Sequence, residues 1–147
     1  MNKNLMLFQQ LGPEKFSAAV STVAPYFGSI DPEFITLRPG HAEVRIPNQR
    51  KVHNHIGTVH AIALCNGAEL AAGTCTDVSI PAGARWLPVS MTVQYLAKAK
   101  TDIRIVTEAD GVDWSTPGNI DVPLAGYDAE GAKVFSAVIT MNVKHRA

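Results

Sequence analysis

The chain has 147 residues, 46% of them hydrophobic and 18% charged, which supplies one packed core and excludes a disordered chain. Lys plus Arg equals Asp plus Glu at 13 each, so the sequence carries no electrostatic footprint for nucleic acid. The short basic groups Arg50-Lys51 and Lys144-His145-Arg146 read as solvated surface, or as a seat for a phosphorylated ligand.

Residues 3–10 are expected to form a short helix ended by Gly12-Pro13. A second opens at Pro13-Glu14, with Phe16, Ala19, Val20 and Val23 at helical spacing, and closes at Pro25 and Gly28. The apolar run before Gln9 is too short for a signal peptide or a membrane span. Residues 33–38 and 42–46 alternate apolar and polar around Pro39-Gly40, which predicts a hairpin, and 47–58 reads as loop. Val59 to Gly73 is apolar around the whole helical wheel, so this helix must be buried on every side. Cys65 and Cys75, ten residues apart on or beside it, are expected reduced and buried, in a cytoplasmic protein.

Strands are expected at 76–81, 90–99, 102–109, 119–128 and 133–143. The second and third pair across Lys100-Thr101, and the last two across Ala129-Glu130-Gly131. The fold class implied is α+β, one long antiparallel sheet curled around one apolar helix, with helices at the N-terminus. Residues 1–147 form a single domain in this reading, with 1–30 as a helical extension.

Three polar residues, His60, Asn66 and Glu69, interrupt the apolar helix. Glu69 shares a side with Ile62, Cys65 and Ala72 and has no Lys or Arg near it in the helix. Burying an unpaired carboxylate costs several kcal/mol, so it must find a partner or have its pKa raised, as a general base requires. A structural Glu bonded to backbone or to another chain is the alternative. Upstream, Gly57 permits a tight turn, and the first N–H groups of the helix, from His60 and Ala61 onward, lack intrahelical partners. They suit a developing oxyanion. Ala61 and Glu69 are more than two turns apart, so they meet only across a subunit boundary or along an extended substrate. Asn54 either holds a water or carbonyl with its amide or makes an Asx turn. His53, His55 and His60 have no carboxylate or Cys at ligand spacing, so no metal is expected.

The stretch N-H-I-G-T-V-H-A-I-A-L-C-N-G-A-E-L-A-A-G (54–73) resembles the signature of hot-dog-fold acyl-CoA thioesterases akin to the phenylacetic-acid-pathway and 4-hydroxybenzoyl-CoA enzymes. Asn54, Gly57, His60 and Glu69 fit its spacing. Segments 91–103 and 126–143 resemble the family's next long strand and its closing hairpin. The likeness covers roughly residues 40–143 and implies the hot-dog fold and thioester hydrolysis. It implies Glu69, Asn54, Ala61 and His60 as the catalytic group. Glu69 attacks or directs water at the carbonyl, and the Ala61 N–H polarises it. It also implies Gly57, Ile62 and Tyr95 beside the substrate, which is an acyl-CoA or acyl-carrier-protein thioester. No separate cofactor is implied, since CoA enters with the substrate. The family works as dimers or dimers of dimers, with each site built from two chains. Two departures mark an outlying branch. His-Ala-Ile (60–62) stands where the family has His-Gly-Gly, and Gly73 stands where some relatives carry a hydroxyl, for which Thr74 or Thr76 can substitute.

Two other functions compete. A hot-dog dehydratase or hydratase would pair His55 with Glu69, fourteen residues on, but the Pro-Gly that opens the dehydratase helix is absent. A non-catalytic acyl-binding protein would keep the fold alone.

Overall fold

The computed structural model describes residues 2–145. Three helices come first: α1 (Lys3–Leu11), α2 (Pro13–Val23) and the single turn α3 (Pro25–Gly28). The Asn2 side chain caps α1 by accepting from the Asn4 and Leu5 N–H groups, and Pro13 opens α2. The hairpin β1 (Glu33–Arg38) and β2 (His41–Ile46) follows, then a 3₁₀ turn at Arg50–Val52 and the long helix α4 (Ala61–Ser79). Four strands close the chain: β3 (Arg85–Tyr95), β4 (Ile103–Thr107), β5 (Gly118–Tyr127) and β6 (Lys133–Lys144).

All six strands join one antiparallel sheet in the order β1-β2-β4-β5-β6-β3. Six strands span roughly 24 Å and a helix is about 10 Å across. Yet α4 packs against every strand, both edges included, so the sheet curls around it. The sequence of α4 permits this. Ala68, Ala71, Ala72 and Cys75 expose nothing, and a Cβ at Gly67 would fall 2.6 Å from the Ile46 side chain. Ile46, Ile105, Phe135 and Met141 fill the space beneath, each worth about 1.5–3 kcal/mol of apolar burial.

Two expectations are corrected. Residues 76–81 are not a strand, because α4 continues to Ser79. The Thr74, Thr76 and Ser79 hydroxyls donate to carbonyls one turn back, which lets polar and β-branched residues stay helical until Pro81. The strand expected at 90–99 runs instead from Arg85 to Tyr95, and it does not pair with β4. β3 pairs with β6 at the far end of the sheet, while β4 lies between β2 and β5. The Lys100-Thr101 segment is therefore a crossing connection. The hairpins β1–β2 and β5–β6 form where expected.

Candidate active site

The loop before α4 is built around Asn54. Its Oδ1 accepts from the Ile56 and Thr58 N–H groups and its Nδ2 donates to Thr58 Oγ1. Of the two expected readings, the Asx turn is the one the side chain makes, which leaves one Nδ2 proton for anything else. Gly57 sits at φ +80°, where a side chain would strain the turn. The loop delivers His60 to the helix N-terminus, where its Nδ1 accepts from the Ile62 N–H at 3.0 Å. A neutral His60 therefore carries its proton on Nε2. The Ala61 N–H, at the first helical position, donates to no atom among the described residues.

Asn54, Ala61 and Tyr95 line one groove of about 330 Å³, together with Leu64, Leu96 and Lys98. Tyr95 Oη lies 3.5 Å from Cys65 Sγ, and this hydrogen bond, then partial burial, holds the phenol above its ordinary titration range. Ile62 faces a separate cleft with His60 and Asn66. There the Asn66 Nδ2 donates to the Tyr26 carbonyl and to Ser29 Oγ, tying α3 to α4, and its Oδ1 has no partner.

Glu69 lies two turns further along α4, in neither groove. It is half-buried rather than enclosed, so the full burial expected from the sequence is not reached. No ion pair or hydrogen bond among the described residues engages its carboxylate. It lines an apolar cavity of about 220 Å³ between α4 and the N-terminal helices, walled by Leu7, Phe16, Val20, Phe27 and Trp86. Gly73 forms part of that wall because the Trp86 ring lies against it; a Cβ there would meet the indole at 2.8 Å. The hydroxyls expected to support Glu69 are committed elsewhere. Thr74 donates to the Leu70 carbonyl, and the fully buried Thr76 donates to Ala72.

Sequence reasoning missed Asp77 and Trp86. Asp77 Oδ1 accepts from Trp86 Nε1 at 3.1 Å, and Oδ2 accepts from Asn4 and Asn2. One carboxylate thus joins α1, α4 and β3. No local signal marked it, since its partners lie nine and more than seventy residues away. His55 is exposed and does not line the cavity that Glu69 lines. Lys51 is paired with Asp31 at 2.7 Å, and Arg146 lies outside the described residues. No helix among the described residues is long and apolar enough to cross a membrane.

Comparison with known proteins bears on the fold. The family described as "Domain of unknown function (DUF4442)" matches residues 12–143. No match was found among curated protein sequences. A structural-genomics crystal structure, APC5556, is 56% identical over 98% of this chain and 97% of its own, with a TM-score of 0.91. A probable thioesterase from Pseudomonas aeruginosa is 21% identical, covering 91% of this chain and 97% of its own, with a TM-score of 0.77. A thioesterase from Haemophilus influenzae is 9% identical, covering 90% of each chain, with a TM-score of 0.78. The sheet curled around α4 is thus the hot-dog fold, as the resemblance implied.

Proposed function

We propose a function from an established membership: the chain belongs to the DUF4442 family and has the hot-dog fold of thioesterase-family proteins. Its activity is hydrolysis of an acyl thioester carried by CoA or an acyl-carrier protein. The observation that carries this reading is Glu69, an unpaired carboxylate on the one open stripe of α4, the helix whose first N–H is also unused. The thioester oxygen accepts from the Ala61 N–H, which stabilises the charge that develops on it. Glu69 attacks the carbonyl carbon, forming a mixed anhydride that water then hydrolyses to regenerate the carboxylate, or it removes a proton from a water that attacks the carbon directly. The C–S bond breaks, the thiolate takes up a proton, and a carboxylic acid and a free thiol leave. CoA enters only as part of the substrate, and two unpaired cysteines suit a reducing compartment.

Glu69 and Ala61 lie too far apart along one helix to share a carbonyl. A second copy removes the difficulty by placing its Glu69 opposite this Ala61. The exposed edge of β3, next to the open stripe of α4, is the surface that supports such a dimer.

The test is Glu69→Gln, which keeps the shape and removes the charge. Hydrolysis of the best acyl-CoA should fall by at least about a hundredfold. The melting temperature should hold, because the side chain is half-exposed and unpaired. A native rate in Glu69→Gln overturns the assignment.

A further inference from the structure

We propose that the cavity between α4 and the three N-terminal helices is an acyl pocket, selecting an uncharged apolar acyl group of about eight carbons. The inference rests on the hydrolase reading for its chemistry, but the pocket has a shape and a lining of its own.

Every wall from α1 and α2 is apolar where it meets the cavity, through Leu7, Phe16, Ala19 and Val20, except for Asn4 at one end. The polar side chains on the lining are nearly all committed. Asn4 and Asp77 bond to each other, Asp77 also accepts from Trp86, and Thr74 is bonded to its own helix. Glu69 alone is free, so an acyl chain inserted here meets one reactive group, the carboxylate proposed to act on its carbonyl carbon.

The same lining excludes a charged tail. It includes two carboxylates and no Lys, Arg or His. A succinyl or malonyl group would bring a third carboxylate into an apolar space without a counter-ion, at a cost of several kcal/mol. Size follows from volume. A cavity of about 150 Å³ holds a benzene ring, and in proportion about 220 Å³ holds eight or nine carbons.

The pocket is preformed because both ends of its roof are fixed. At one end Asn2, the cap of α1, and Asn4 in its first turn bind Asp77. At the other, Asn66 of α4 binds the Tyr26 carbonyl of α3. Between the two clamps the α2–α3 corner holds Val23, 85% exposed, at the rim.

The experiment measures kcat/KM for acetyl-, butyryl-, octanoyl-, hexadecanoyl- and succinyl-CoA. Octanoyl-CoA should exceed acetyl-, hexadecanoyl- and succinyl-CoA by at least about tenfold, since each buried methylene contributes to binding. Ala19→Leu fills the pocket and should move the optimum to butyryl-CoA or shorter. Val20→Ala enlarges it and should move the optimum the other way. Lys15→Ala, on the exposed side of α2, should leave the profile unchanged, and thermal melts confirm that each variant is folded. A flat profile, or one that neither Ala19→Leu nor Val20→Ala moves, overturns the pocket and leaves the hydrolase reading standing. If no thioester is cleaved, the hydrolase reading fails, and calorimetric binding of octanoyl-CoA to the wild type and Ala19→Leu decides the pocket alone. Binding weakened at least about tenfold by Ala19→Leu sustains it, and equal binding, or none, overturns it.

Discussion

β1 and β3 both end the sheet, and the protein treats the two edges in opposite ways. β1 is six residues long and lies under α2. Phe16 stacks edge-on against Phe34 at 5.0 Å, and the Ser17 hydroxyl accepts from the Phe34 N–H at 2.8 Å, so a strand-edge donor is satisfied within the chain. β3 is eleven residues long and has no buried residue. Leu87 is 71% exposed and Val89 55%, and no helix covers them. A long apolar edge left open is an invitation to pair with another chain, and natural sheets cover or charge such edges. One edge has been closed by the chain's own N-terminus. The other is consistent with closure by a second copy, the arrangement the proposed two-chain site requires.

The largest expected effect comes from charging the open edge. Leu87→Lys with Val89→Lys puts two charges on the apolar edge that a second copy would have to bury. Sedimentation at micromolar concentration should shift from dimer to monomer, and hydrolysis should fall at least about tenfold, because each site loses half its residues. A wild type that already sediments as a monomer would remove the contrast between the edges altogether.

At the closed edge the effect should be one of stability alone. Ser17→Ala leaves the Phe34 N–H buried without an acceptor, at a cost of about 1–3 kcal/mol. Denaturant unfolding should show that loss, while sedimentation and kcat/KM stay at wild-type values. A change of oligomeric state in Ser17→Ala would mean that β1, too, belongs to an interface.

The helices and the two hairpins were legible because each is written in local spacing; the burial of α4 was legible only in part, since Ile62 is 54% exposed and Cys65 and Glu69 are half-buried where burial on every side was expected. The last turn of α4 was not. T-D-V-S-I-P (76–81) reads as strand until one sees the hydroxyls bonded one turn back and Asp77 receiving three donors from other elements. The pairing of β3 was hidden for a related reason: it depends on which end of the sheet the chain crosses to, and no residue near Lys100 records that. In α2, helical spacing puts Phe16 and Val23 on one apolar face, yet Phe16 is buried and Val23 is exposed. Periodicity gives the apolar face of a helix but not where its partner stops. Glu69 stood out as a charge in an apolar helix. That it lies beside a cavity made by the first thirty residues is a tertiary fact that no stretch of sequence contains.

The two cysteines of α4 offer the finest probe of the contrast, since one lies toward each edge. Cys75 is fully buried near the β1–β2 turn, with Ser79 beside it, and burial pushes its thiol above the ordinary range. Both effects suppress the thiolate that reacts with a disulfide reagent. Its modification should therefore wait for global unfolding, which slows it by at least about a thousandfold for a domain of ordinary stability. Cys65 is half-buried on the open stripe of α4, beside Tyr95 at the end of β3. In a dimer closed over β3 this thiol is shielded only as long as the partner stays in place. Timed reaction with a disulfide reagent, followed by peptide mapping, should show Cys65 alone modified in the native protein. The Leu87→Lys, Val89→Lys pair should speed that reaction a few-fold and leave Cys75 untouched. Ser17→Ala should do the reverse, hastening Cys75 through its loss of stability without altering Cys65. Equal acceleration of both thiols in both variants would show that the edges are coupled through the core, and the opposition between them would not hold.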